Sequence, residues 1–225
     1  GEMAITLLLA GWKELLPADE SVRTGRWEEE RHRGNRSSIP NVEGATLGVY
    51  GCGNIGAETC SIAQGIGMSC LGFDPYVSAE EMPDGVEKVD SKPEFFERAD
   101  AVSVHVPITP ETRGAVGADE LDRLGPDGIV VNAARGGAVD EAALLEALEE
   151  GWIRGAGLDV FEQEPPSTDN HLLERDDVVL SPHVAGASSD SYRQMGQQAL
   201  WNVRTVHEGG IPESTVNTDR IADGS

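Results

Sequence analysis

Residues 51–56, Gly-Cys-Gly-Asn-Ile-Gly, place three glycines at the spacing GxGxxG between a β-branched stretch and a helical one. Gly51 permits a tight turn, Gly53 lets backbone approach a pyrophosphate, and Gly56 lets the following helix pack closely on the strand. Amides at the helix start, at Asn54 and Ile55, would then hold phosphates. The motif alone is weak, so its context carries the reading: strand, glycines, helix, and a second strand ending in Asp74, 18 positions after Gly56. A carboxylate there accepts hydrogen bonds from ribose hydroxyls and repels a 2′-phosphate, so NAD is the expected cofactor and NADP is disfavoured. The plainer alternative is a Gly-rich turn beside a surface Asp before Pro75. A second cluster is Arg135, followed by Gly136 and Gly137 at the end of an apolar run. That is where α/β enzymes place their sites, although a surface salt bridge would also account for the arginine. His183, behind a proline, reads on its own as a loop residue.

These groups need a scaffold, and the pattern supplies one. Short β-branched runs alternate with helix-like segments, the mark of βαβ units. Strands are expected at 46–50, 69–74, 101–106, 128–134, 155–160 and 178–180, and helices notably at 55–65 and 140–149, with a last long one at 188–206. The fold class expected is α/β, a Rossmann-type doubly wound parallel sheet with helices on both faces. The opening residues 1–16 read as a connecting helix entered partway along, with its beginning missing. Residues 17–43 read as an extended, charged arm or long loop, because neither a helical nor an alternating apolar period persists there. The nucleotide domain is thus expected over 17–206, arm included, and 207–225 as a tail.

Composition limits the partners. A formal net charge of −23 over 225 residues repels phosphate backbones and anionic membranes, so neither nucleic acid nor a membrane is an expected partner. Only three basic residues are lysines, Lys13, Lys88 and Lys92, and the surface reads as an Asp/Glu coat suited to a salt-rich cytoplasm. No apolar run reaches the roughly 18 residues of a membrane span, and residues 4–11 lack the basic flank of a signal peptide, so a cytoplasmic protein is expected. Cys52, Cys60 and Cys70 have no metal-ligand spacing and are read as buried thiols; no metal is expected.

Four further segments follow in order: HVPITPETRG at 105–114, VNAARGGAVDEAALLEAL at 131–148, GAGLDVFEQEPP at 155–166 and SPHVAGAS at 181–188. Together with the glycine turn they resemble the D-isomer-specific 2-hydroxyacid dehydrogenase family, and the match runs from 46 to 188. The opening GEMAITLLLA and the arm ending in GRWEEE also resemble the segment before that family's nucleotide domain. The resemblance implies an oxidoreductase that passes hydride between NAD and the C2 of a small 2-keto or 2-hydroxy acid. It implies that Arg135 binds the substrate carboxylate and carbonyl, and a guanidinium fork does suit that planar pair of oxygens. It implies that His183 is the acid/base and Glu164 its partner, a carboxylate that would favour the charged ring and fix its orientation.

The resemblance further implies that Asp159 bonds the nicotinamide carboxamide, although a strand-end cap is the plainer reading. Val106, Pro107, Thr112, Ala134 and Gly186 are implied as contacts on the nicotinamide side. His105 lies in the segment that lines the family's cofactor cleft; His32, His171 and His207 have weaker claims, and Glu162, Asp176 and Asp177 read as solvated acids. A homodimer through the nucleotide domain is implied, with the arm at 17–43 a candidate contact. So is a second, substrate-gripping domain that is mostly missing here, which leaves this stretch able to bind NAD but poor at turnover. Two alternatives stay open: a nucleotide-sensing corepressor on the same fold, and a formate- or phosphite-type dehydrogenase.

Overall fold

The structure is a computed structural model that describes residues 1–31, 39–212 and 215. His32, part of the arm and most of the tail therefore lie outside the described residues. The chain divides into two compact units, Gly1–Ala185 and Gly186–Ser225. Among its described residues the second holds one helix, α8 (Ser189–His207), whose N-cap Ser188 accepts a hydrogen bond from the Ser191 amide.

Among the described residues the first unit is built on seven strands: β1 (Thr46–Tyr50), β2 (Ser69–Phe73), β3 (Val86–Lys88), β4 (Ala101–Val104), β5 (Ile129–Asn132), β6 (Gly155–Leu158) and β7 (Val178–Leu180). They form one sheet in the order β3-β2-β1-β4-β5-β6-β7, every pair parallel. Its helices are α1 (Glu2–Trp12), α2 (Leu15–Arg23), α3 (Trp27–Arg31), α4 (Asn54–Gly65), α5 (Lys92–Arg98), α6 (Ala118–Leu124) and α7 (Glu141–Glu149). Successive strand residues serve opposite faces. Ile129 and Val131 of β5 pack into one cluster with Leu8 and Trp12 of α1 and Cys60 and Ala63 of α4, while Val130 faces Phe96 of α5, Leu121 of α6 and Leu144 of α7 in the other. With apolar layers on both faces, the doubly wound parallel sheet read from the sequence is the fold observed. The three cysteines are buried and free, as expected.

Three differences from the sequence pattern have physical causes. The segment beginning at residue 17 is not an extended arm where it is described: α2 and α3 occupy much of it. Both are short, and their apolar residues Leu15, Leu16, Val22 and Trp27 stay exposed, so no core-facing stripe betrays them in the sequence. Four strands end one or two residues before the apolar runs do, which leaves Asp74, His105, Val106, Ala133, Ala134, Asp159 and Val160 in the loops that leave the sheet. Edge strand β3, three residues long, is too short to show an alternation. Among the described residues, no helix is long and apolar enough to cross a membrane.

Candidate active site

The strand order reverses between β1 and β4, and at such a switch point the exits of neighbouring strands diverge and open a crevice. The glycine turn leaves β1 and the segment from His105 leaves β4, on the two sides of that crevice. Gly51 has φ 96°, and a Cβ there would stand 2.8 Å from the His105 carbonyl oxygen. At Gly56 a Cβ would meet the Gly51 carbonyl oxygen at 2.1 Å, so the start of α4 can close on the turn only without a side chain. Nothing lies within 4 Å of a Cβ built at Gly53, and Gly53, Asn54 and Ile55 are exposed, so the amides opening α4 face open space. The cradle therefore fits a pyrophosphate at a helix N-terminus.

Asp74 follows β2 and has both carboxylate oxygens engaged: Oδ2 accepts from the Cys52 amide at 2.9 Å and Oδ1 from the Tyr76 amide at 2.9 Å. Each oxygen keeps one lone-pair direction for a ribose hydroxyl. The aspartate thus also pins the glycine turn to the end of β2. His105 is half-buried, shares a 2.8 Å hydrogen bond between Nε2 and the Ser103 hydroxyl, and is pushed down to about 4 by burial, so its ring is neutral at physiological pH. Val106 is buried and Pro107 exposed, while Thr112 turns its hydroxyl into its own loop, donating to the Pro107 carbonyl at 2.5 Å and accepting from the Thr109 amide at 2.7 Å.

Strands β5, β6 and β7 are neighbours, and their exits carry Arg135, Glu164 and His183 respectively. His183 Nδ1 lies 2.6 Å from Glu164 Oε2, and this hydrogen bond holds the Glu164 carboxyl below its ordinary range. The other oxygen of Glu164 accepts from the Phe161 amide at 3.1 Å. His183 itself stands at φ 54°, a left-handed conformation that a non-glycine residue keeps only where its surroundings insist. Asp159 does the insisting. Fully buried, it accepts from the Ser181 hydroxyl at 2.5 Å and the Val184 amide at 2.9 Å on one oxygen and from the Ala185 amide at 2.7 Å on the other, while its carbonyl takes the His183 amide at 2.7 Å.

Arg135 is exposed and its Nη1 donates to the Ala134 carbonyl at 2.6 Å. Asn132, which is not among the expected site residues, shapes this turn: Nδ2 donates to the Arg135 carbonyl at 2.9 Å and Oδ1 accepts from the half-buried Ala134's amide at 3.1 Å. Asn132 is nonetheless fully buried at a strand end, and a polar residue closing an apolar run is the signal that points to it. The next residue, Gly136, presses on the neighbouring exit so closely that a Cβ would lie 1.8 Å from the Phe161 carbonyl oxygen. The arginine turn thus packs against the peptide that joins Phe161 to Glu162 in the Glu164 loop. An apolar cavity of about 400 Å³, lined among others by Phe161, Leu173, Leu180 and Pro182, borders Glu164 and His183.

Two expected solvated acids prove to be partnered. Asp177 takes both Nε and Nη2 of Arg175, at 2.8 and 2.7 Å, and Glu162 accepts from the Glu141 amide at 3.1 Å. Gly186 belongs to the second unit, where its carbonyl accepts from the Ser188 amide. No group of side chains able to hold a metal occurs among the described residues.

Residues 5–185 match the model of the D-isomer specific 2-hydroxyacid dehydrogenase NAD binding domain. The chain belongs to the D-isomer-specific 2-hydroxyacid dehydrogenase family. It is 39% identical over 221 residues to a D-3-phosphoglycerate dehydrogenase of Methanocaldococcus jannaschii, an alignment covering 98% of this chain and 41% of the relative. To a glyoxylate reductase of Korarchaeum cryptofilum it is 41% identical, covering 98% of this chain and 66% of that protein. Among solved structures, a glyoxylate reductase from Paecilomyes thermophila superposes with a TM-score of 0.86 at 29% identity, over 97% of this chain and 64% of the other. The chain thus spans between two fifths and two thirds of the length of these dehydrogenases, and the part it spans is the NAD-binding one.

Proposed function

We propose that the protein containing this NAD-binding domain interconverts a small 2-keto acid and the matching D-2-hydroxy acid. Bound NAD(H) supplies or accepts the hydride. The chain's own residues would do the rest. Backbone amides opening α4 hold the pyrophosphate, and Asp74 accepts from the adenosine ribose. Arg135 grips the substrate carboxylate and polarises the carbonyl through its planar fork. His183 donates a proton from Nε2 to the oxygen that gains charge during reduction and recovers one in oxidation, while Glu164 on Nδ1 holds the ring in register. Asp159 keeps the loop in the conformation that presents that ring. In this conformation its carboxylate is committed to the loop, and a bond to the nicotinamide carboxamide would use its one remaining lone-pair direction.

The observation that carries this reading is the 2.6 Å bond between His183 and Glu164, on the exits of β7 and β6, with Arg135 on the exit of β5, the next strand of the sheet. An acid/base pair and a cation carried by successive strand exits, at the same end of the sheet as a dinucleotide cradle, are the apparatus that keto-acid reduction needs. The test is a panel of 2-keto acids, including glyoxylate and hydroxypyruvate, with NADH and NADPH on the complete protein at low and high salt. Turnover with NADH that vanishes in His183→Ala while NADH still binds supports the proposal; no turnover with any acid, alongside normal NADH binding, favours a nucleotide-sensing role. We also infer a homodimer. Leu15 and Leu16 just before the arm, and Val22 and Trp27 within it, are exposed large apolar side chains of the kind that a second copy covers. Light scattering that returns a monomer mass would refute it.

A further inference from the structure

The side chains of Glu141 and Glu162 accept from each other's backbone amides, and capping of α7 explains only the bond from the Glu141 amide. Helix α7 is already capped by Asp140, whose Oδ1 accepts from the Ala143 amide at 3.0 Å. Glu141, its first residue, reaches away from the helix: Oε1 accepts from the Glu162 amide at 2.5 Å, while the Glu162 Oε1 accepts from the Glu141 amide at 3.1 Å. The second oxygen of Glu141 accepts from Nδ2 of Asn170 at 2.8 Å, and Asn170 in turn caps the short turn His171–Glu174 leading into β7. Two like charges are brought together, and among the described residues neither takes part in an ion pair. The amides they accept from and the positive end of the α7 dipole offset the repulsion between them. The location of the pairing suggests what it does. The amides of Phe161 and Glu162 are consecutive, and each ends on a carboxylate: Phe161 on Glu164, Glu162 on Glu141. The same peptide carries the contact with Gly136, next to Arg135.

We propose that Glu141 is a positioning residue for the reaction, acting through a brace with Glu162 and Asn170 that fixes the loop from which Glu164 holds His183. The proposal rests on the dehydrogenase reading, since it assigns those two residues their task. Without the brace, Glu164 meets the imidazole only part of the time.

Glu141→Ala separates this from a merely structural role, and Glu141→Gln, which keeps an oxygen for the Glu162 amide, is the conservative rescue. Two readouts apply. In the complete protein, Glu141→Ala should lower kcat for 2-keto acid reduction about tenfold, a fraction of what acid/base groups typically contribute. KM and NADH affinity should stay unchanged, and Glu141→Gln, which keeps the bond from the Glu162 amide but loses the one from Asn170, should restore part of the loss. In this chain, the Glu164 carboxyl followed by carbon-13 NMR should titrate at higher pH in Glu141→Ala, back toward the ordinary glutamate range. The charged groups facing Glu164 are His183 and Asp159. Removing the negative charge of Glu141 by itself could only move that titration down, so an upward shift reports a weakened bond to His183. A Glu164 titration in Glu141→Ala that is unmoved or lowered, or equal impairment of the Ala and Gln variants, overturns the proposal. Failure of the wild-type protein to reduce any 2-keto acid would instead overturn the functional reading, and the NMR measurement would still decide the brace.

Discussion

Replacing Asp159 with Asn would test how firmly the catalytic loop is held, because the substitution changes charge and donor pattern but hardly any volume. The wild-type carboxylate is fully buried and accepts three hydrogen bonds, from Ser181, Val184 and Ala185. An asparagine keeps one oxygen for two of these donors and turns an NH2 group toward the third, leaving one buried amide unsatisfied and the other two bonds without charge assistance. A hydrogen bond to a charged group contributes about 1.5–3 kcal/mol, so a loss of about 3 kcal/mol follows. In a unit of this size each kcal/mol moves Tm by about 2–4 °C, and a drop of about 6–12 °C is expected by calorimetry. The same change frees the left-handed backbone at His183, so kcat for keto-acid reduction in the complete protein should fall by at least about tenfold at temperatures where the variant is folded. A Tm within about 2 °C of wild type, together with unchanged kcat, would refute the view that Asp159 pins the loop.

Other changes probe separate parts of the account. Gly136→Ala forces a Cβ to within 1.8 Å of the Phe161 carbonyl oxygen, so the two strand exits must part; circular dichroism should show a folded sheet, and keto-acid turnover should be lost while NADH still binds. Gly51→Ala, at φ 96° and 2.8 Å from the His105 carbonyl, should weaken NADH binding, by fluorescence titration, by more than about tenfold. His105 has a folded-state value near 4, below that of an unfolded histidine near 6.5. The unfolded chain therefore binds the proton first as pH falls, and stability declines from about pH 6.5 to about pH 4, by about 3 kcal/mol in all. His105→Asn should flatten that slope in urea melts. Asp74→Ala should raise the Kd for NADH about tenfold and narrow the gap to NADPH.

How much of this could be read in the residues differs from part to part. The sheet was legible because strands buried on both faces write near-continuous apolar runs, and β1 and β7 fall within the limits the pattern sets. Runs such as 101–106 overshoot because the residues that close them, His105 and Val106, are apolar or half-buried for the sake of the cleft rather than the sheet. Helices α5 and α6, seven residues each, were not singled out, although Ser91 capping the Glu94 amide just before Pro93 is a readable start. Of the site, the phosphate turn depends on local glycine chemistry and could be read directly. The pairing of Glu164 with His183, 19 positions apart, depends on β6 and β7 being neighbours, and only the resemblance to a family anticipated it. Asn132 carries a readable signal, a polar residue closing an apolar run, whereas the part played by Glu141 could not be seen beforehand, since a glutamate that reaches across a loop looks like any other until the strands are placed side by side.

The most direct test of the central claim is NADH oxidation by the complete protein in the presence of a 2-keto acid, measured for wild type, His183→Ala and Arg135→Ala, with NADH affinity determined in parallel. Turnover is expected in wild type, with near-normal coenzyme binding in all three proteins and a loss of at least about a hundredfold in each variant. Variants that turn over as fast as wild type would contradict that claim.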